Sequence, residues 1–187
     1  MSLTALDPKT ALIVVDLQQG ILGSPFIHSI ADVITQTDSL IDAFRRRHLP
    51  VVLVNVAGVA PGRTEQPRRY RELSTDFSEL IPELSRQPSD ILVTKRTWGA
   101  FASTDLEARL KAMGVTQVVI TGVSTGTGVE ATARQAYEPG FNVTLATDAM
   151  TDVRPEAHEY SLNHVFPRLG ESGSTQDVLD LLAKRGA

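Results

Sequence analysis

Cysteine is absent from the 187 residues of the chain. A disulfide framework and a thiolate metal site are therefore excluded, and so is a cysteine nucleophile. The absence of cysteine fits a protein of a reducing compartment, and we expect a cytoplasmic location.

Basic charge and long apolar runs are also scarce. The chain carries 18 Lys and Arg against 22 Asp and Glu, a formal net charge of −4, whereas a generic nucleic-acid binder usually has a basic face. The first apolar run, residues 11–15, ends at Asp16 and is too short for a signal peptide or a membrane-spanning helix. We therefore expect no nucleic-acid partner and no membrane association.

The hydrophobic residues that are present occur in short runs rich in Val and Ile. These runs lack polar alternation, which is typical of strands covered on both faces; they occupy residues 11–15, 50–54, 90–94, 117–121 and 141–146. Five helices are predicted in addition to these strands. The first spans 30–47, the second runs from a capping box at Thr104 and Glu107 to Gly114, and the third spans 129–137. The fourth begins at Pro155, and the fifth begins at a cap formed by Ser174 or Thr175. This alternation predicts one three-layer α/β domain over residues 1–187, with a parallel sheet and helices on both faces.

Polar residues follow several of these strands, at the edge of the sheet where α/β proteins bind ligands. Asp16 follows the first strand, Lys95 the third, and a glycine-rich turn over residues 122–128 the fourth. If these three meet, a carboxylate and an ammonium group lie near a helix N-terminus. Such a site suits acid–base chemistry on a carbonyl or enol-type substrate.

Cofactor and metal sites are not predicted. Residues 121–128 match the TGxxxGxG pattern of short-chain dehydrogenases, but only 187 − 128 = 59 residues follow and no tyrosine has a lysine four positions later, so we expect no dinucleotide. His158 and His164 are six residues apart, which would separate them by about 120° on a helix rather than align them on one face for zinc. His28 and His48 stand alone, and we expect all these histidines to be surface or capping residues.

A loop is predicted over residues 57–71, which contain Pro61, Pro67 and four arginines. It is either a solvated loop or a lid that meets an anionic substrate.

Several motifs together resemble the isochorismatase-like hydrolase superfamily. They are VVDLQ at 14–18, KRTWGAF at 95–101, GVST at 122–125 and VEATARQA at 129–136, with Asp148 and residues 158–163 also fitting. The resemblance implies a three-layer α/β/α fold with a six-stranded parallel sheet, the sixth strand falling near 167–171. It also implies a homo-oligomer, a dimer or a tetramer, that acts on a small-molecule substrate without a cofactor.

The resemblance also implies a set of site residues. Most members use an Asp, a Lys and a cysteine nucleophile with an oxyanion hole, and their GVATDxCVE motif aligns Gly128 with the cysteine. This chain would therefore belong to a thiol-less subgroup with Asp16 and Lys95 as catalytic residues and the backbone of Ser124 and Gly128 as oxyanion hole. The substrate-binding residues would be Gln18, Asn55, Trp98, Phe101, Ser124, Thr125 and Gly128. A cis peptide is expected at Val123–Ser124, and Thr127 is not expected to replace the thiol, because one helical position turns a side chain by about 100°.

Three functions remain open at this point. The isochorismatase branch also has a small residue at this position and hydrolyses a vinyl ether, with the Asp protonating carbon and water attacking. By resemblance, the first hypothesis is such a thiol-independent hydrolase, in which an apolar pocket near Trp98 and Phe101 would raise the pKa of Asp16. Asn55 would stand loosely for the Gln of true isochorismatases, and Gly126 replaces their His. The alternatives are a degenerate member that binds a small metabolite without catalysis, and an amidase of nicotinamidase or carbamoyl type with an unorthodox nucleophile.

Overall fold

A sheet of six parallel strands runs through the part of the chain that the computed structural model describes, residues 3–66 and 74–184. The strands are β1 (Thr10–Val15), β2 (Val51–Val56), β3 (Ile91–Lys95), β4 (Gln117–Val123), β5 (Asn142–Thr151) and β6 (Glu171–Gly173). Their order is β3-β2-β1-β4-β5-β6. The order therefore reverses between β1 and β4, and in open parallel sheets this is where ligands bind.

Helices cover both faces of the sheet. They are α1 (Gln19–Leu22), α2 (Ile30–Arg46), α3 (Thr75–Ser78), α4 (Leu106–Ala112), α5 (Glu130–Tyr137), α6 (Pro155–Tyr160) and α7 (Thr175–Ala183), with 3-10 turns at Pro82–Leu84 and Phe166–Arg168 and π-helical segments at Thr125–Val129 and Ser161–Val165. Over the residues described, none of the helices combines the length and apolarity that crossing a bilayer requires.

The core consists of two apolar layers, one on each face of β1. Ala11, Ile13 and Val15 face the layer that contains α4 and α5, whereas Leu12 and Val14 face the layer that contains α2 and α7. Every residue of β1 is buried, which explains why its sequence shows no polar alternation. The predicted three-layer architecture is confirmed.

Most predicted element boundaries lie within a few residues of the observed ones. The strand predicted at 141–146 extends to Thr151, and two further boundaries differ for local reasons. α4 begins at Leu106, and the predicted capping box of Thr104 and Glu107 does not form. Thr104 Oγ1 accepts a hydrogen bond from Leu106 N at 3.2 Å. The Glu107 carboxylate pairs with Lys111 at 2.7 Å instead of reaching back to the start of the helix. The sixth strand begins at Glu171, later than expected, because a 3-10 turn containing Pro167 occupies Phe166–Arg168.

Candidate active site

Asp16 and Lys95 form a buried ion pair at the carboxyl ends of the strands. Lys95 Nζ donates to Asp16 Oδ2 at 2.7 Å, and the two side chains are only 2% and 6% exposed, respectively. Lys95 ends β3 and pairs in the sheet with Val56 of β2, so its side chain crosses the end of β2 to reach Asp16. The lysine also donates to the Thr97 carbonyl at 3.3 Å. The sheet order thus brings the predicted acid and lysine together.

Asp16 has an environment that suits proton transfer. Burial raises the pKa of Asp16 from 3.8 to about 6, and the charge and hydrogen bond of Lys95 only partly offset this effect. Its second oxygen, Oδ1, is buried and has no hydrogen-bond partner among the described residues. A carboxyl group with a pKa near neutrality can both donate and accept a proton at physiological pH.

A cavity of about 240 Å³ opens onto this pair. Of the predicted site residues, Asp16, Lys95, Trp98, Ser124 and Gly128 line it. Sequence reasoning missed the others, which are mostly apolar: Ile21, Val56, Gly58, Val59, Phe77, Thr97 and Thr127. Trp98 is 69% exposed and stands at the cavity rim.

Only one end of the predicted loop contributes to the described cavity wall. Gly58 and Val59 line the cavity, whereas residues 67–73, with Pro67 and three of the four arginines, lie outside the described residues. The lid hypothesis thus stays a prediction.

Gln18 lies beside the cavity without being among its lining residues. Its Nε2 donates to the carbonyls of Val56, at 3.1 Å, and Phe77, at 2.7 Å. Its Oε1 accepts from Val56 N at 2.7 Å. The fully buried amide thereby joins the end of β1 to two residues of the cavity wall.

Three further predicted binding residues point elsewhere. Asn55 donates to the Ser78 carbonyl at 2.6 Å and lines a separate pocket, because successive strand residues face opposite sides and Val56 takes the cavity side. Phe101 packs in the core against Phe141, with ring centroids 6.0 Å apart. Thr125 is fully buried. None of the three lies along the cavity wall.

The turn after β4 carries Gly128, the residue that the sequence resemblance predicts at the position of the nucleophile. The Val123–Ser124 peptide is cis, as predicted. Thr125–Val129 is π-helical, so the α-helical angle assumed for Thr127 does not apply, and Thr127 lines the cavity next to Gly128. A Cβ at Gly128 would lie 3.0 Å from Asp16 Oδ2. Residue 128 therefore sits directly against the carboxylate.

His28 is exposed, as predicted, but it does not stand alone, and the prediction that His158 is a surface or capping residue is wrong. Their rings lie 4.9 Å apart in an edge-on arrangement, and His158 is only 7% exposed. His158 Nδ1 is 2.9 Å from Thr125 Oγ1. Burial, and then the neighbouring His28, lower the pKa of His158. Through its contact with Thr125, the histidine pair supports the turn that follows β4.

No metal site is formed by the described residues: within these ranges, no three His, Asp or Glu residues cluster closely enough to hold a metal ion.

Comparison with known proteins gives consistent matches over nearly the whole chain. The isochorismatase domain family matches residues 10–177. Similar relatives are the isochorismatase family proteins YwoC of Bacillus subtilis, 37% identical over 92% of this chain and 93% of that protein, and YecD of Escherichia coli O157:H7, 38% identical over 92% and 96%. A solved structure of an isochorismatase family protein from Burkholderia thailandensis has a TM-score of 0.91 and 39% identity, covering 96% of this chain and 98% of that one. These likenesses confirm the predicted isochorismatase-like fold.

Proposed function

Since the chain belongs to the isochorismatase family of hydrolases, we propose that it hydrolyses a small carboxylated enol ether without a thiol. Asp16 is the acid and base of the reaction, and Lys95 is its partner. The observation that carries this proposal is the buried 2.7 Å contact between Lys95 Nζ and Asp16 Oδ2 at the base of a small cavity where residue 128 is glycine.

The reaction needs one group that first gives and then takes a proton. Protonated Asp16 transfers its proton to the terminal vinyl carbon, and the electron pair of the double bond forms the new C–H bond. The ether oxygen stabilises the resulting oxocarbenium ion. Water then attacks the cationic carbon and returns a proton to Asp16. The hemiketal releases an alcohol and a 2-oxo acid, so one water is consumed for each ether bond broken.

The pKa of Asp16 supports this cycle. A carboxyl that ionises near pH 6 is a stronger proton acceptor than an ordinary aspartate and is still partly protonated near neutrality. Apolar residues such as Ile21 and Phe77 line the cavity. They would favour removal of the hydration water that surrounds a small substrate in solution.

Lys95 and the turn after β4 bind the substrate's carboxylate. An ammonium group has three donors, and Lys95 directs two of them to Asp16 and Thr97. The third can reach an anionic substrate group. Ser124 and Gly128 also line the cavity, and their backbone would supply N–H donors to the carboxylate or to a developing oxyanion.

The test is a substrate screen with matched variants. Wild type, Asp16→Asn and the exposed Asp42→Asn are incubated with carboxylated enol ethers, amides and carbamates, and release of 2-oxo acid and of ammonia is measured. We expect 2-oxo acid from an enol ether, a loss of at least about 100-fold in Asp16→Asn, and wild-type rates in Asp42→Asn.

Three results would contradict the proposal. Asp16→Asn could turn over the enol ether at the wild-type rate. Ammonia from an amide or carbamate, without 2-oxo acid, would favour an amidase. A ligand that binds tightly and is recovered unchanged would indicate a family member that binds a metabolite without catalysis.

A further inference from the structure

We infer that Gln135 and Thr132 of α5 are positioning residues that set the substrate affinity of the cavity. They act by anchoring the rim segment, residues 97–102, which carries Trp98. Neither residue is among the described residues that line the cavity. The inference rests on the proposed function, because it assigns what places the rim of that site around its substrate.

The two side chains accept hydrogen bonds from three consecutive backbone N–H groups of the rim segment. Thr132 Oγ1 accepts from Ala100 N at 3.2 Å. Gln135 Oε1 accepts from Phe101 N and from Ala102 N, each at 3.0 Å. Because residues three apart are neighbours on the surface of a helix, a single face of α5 anchors the segment.

Gly99 allows this face of α5 to approach the rim segment closely. A Cβ at Gly99 would overlap Cδ and Oε1 of Gln135. The glycine is not one of those with a positive φ, so its backbone conformation does not require glycine. The contact with Gln135 does.

The anchored segment contributes two residues to the cavity. Thr97 and Trp98 both line it, and the Thr97 carbonyl accepts a hydrogen bond from Lys95 Nζ at 3.3 Å. The direct contact of 2.7 Å between Lys95 Nζ and Asp16 Oδ2 does not involve the rim segment. Release of the segment should therefore weaken substrate binding more than it slows proton transfer.

Thr132 also connects the rim segment to the turn after β4. Its hydroxyl donates to the Gly128 carbonyl at 2.7 Å while it accepts from Ala100 N, and the side chain is fully buried. A hydroxyl can make both bonds at once. Since Gly128 and Trp98 both line the cavity, this one side chain fixes two parts of the cavity wall relative to each other.

The experiment uses Trp98, the single tryptophan of the chain. Its fluorescence anisotropy reports motion of the rim on the nanosecond timescale and needs no turnover. Gln135→Leu removes the acceptor, Gln135→Glu keeps a carboxylate acceptor, and Gly99→Ala displaces the Gln135 amide. Gln176→Leu, an identical change at an exposed position of α7, is the matched control.

We expect lower anisotropy in Gln135→Leu and Gly99→Ala, and values near the wild type in Gln135→Glu and Gln176→Leu. In the enol-ether assay, the first two variants should raise KM at least about fivefold, with kcat falling less than about twofold. Both act on the same contact, so the combined variant should raise KM little beyond either single change.

The inference is overturned if Gln135→Leu folds and keeps the wild-type anisotropy and KM. If Gln135→Leu does not fold, wild-type values in Gly99→Ala overturn it. A fall in kcat at constant KM would also overturn it, because the rim segment would then act in the chemical step. Failure of the proposed function gives a different result, namely full activity of Asp16→Asn while the anisotropy differences persist.

Discussion

Lys95 reaches Asp16 across an intervening strand. Lys95 ends β3, Asp16 follows β1, and β2 lies between them, yet Nζ and Oδ2 are 2.7 Å apart. The contact therefore requires that all three strands are paired in register. A buried ion pair loses much of its hydration and is weak evidence for a purely stabilising role. The proposed role in proton transfer would account for its position at the base of the cavity.

The first prediction concerns the pH dependence of activity. The pKa of Asp16 is raised to about 6, and the proposed first step needs the protonated form. Since that form is lost as pH rises through the pKa, kcat/KM should fall about tenfold per pH unit above pH 6. Initial rates at low substrate between pH 5 and 8 measure this, with a pH-independent coupling reaction as control. A flat or rising profile would exclude Asp16 as the general acid.

The second prediction concerns Lys95→Met. The charge and hydrogen bond of Lys95 both lower the pKa of Asp16, so their removal should shift the descending limb of the pH profile above pH 6. Methionine is similarly long and unbranched, which limits the change in packing. The KM for a carboxylated substrate should rise because its cationic partner is lost.

The control for this variant is Lys111→Met, which breaks the exposed pair with Glu107. Exposed pairs contribute at most about 1 kcal/mol, and its pH profile should be that of the wild type. If the limb of Lys95→Met coincides with that of the wild type, Lys95 does not tune Asp16.

The fold was predictable because local signals agreed with the tertiary structure. β1 is apolar throughout and buried on both faces, as a central parallel strand should be. Ser174, one of two predicted caps, caps α7 and forms a capping box with Asp177. The strand order was not predictable in this way, because apolar runs specify burial and not which strands pair.

The third prediction tests that cap. Ser174 Oγ accepts from Asp177 N at 3.1 Å, so Ser174→Ala leaves this N–H group without its side-chain acceptor. The free energy of unfolding should fall by about 1 kcal/mol, which lowers Tm by about 2–4 °C in a chain of this size. Ser39→Ala, within α2, is the control and should keep or slightly raise Tm, since alanine favours helix interiors. Equal Tm values for both variants would contradict the cap's contribution.

The sequence predicted only those site residues that belong to a recognised motif and themselves line the cavity. Asp16, Lys95, Trp98, Ser124 and Gly128 do so. Ile21 and Phe77 lie on helices of four residues, which are too short to produce a periodic pattern. Thr127 was misplaced because a π-helical segment changes the angle between successive side chains.

The last prediction concerns Gln18, whose amide holds two residues of the cavity wall. Gln18→Ala removes three hydrogen bonds to partly buried backbone groups of Val56 and Phe77, which should cost about 2–3 kcal/mol of stability. Because Asp16 and Lys95 keep their contact while the wall shifts, KM should rise more than kcat falls. The adjacent Gln19→Ala is the matched control, since Gln19 makes only an exposed 3.4 Å side-chain contact with Glu79. Thermal unfolding and steady-state kinetics of the two variants decide the point. A fall in kcat at constant KM would mean that Gln18 acts in the chemical step, and wild-type values in both assays would mean that it does not support the wall at all.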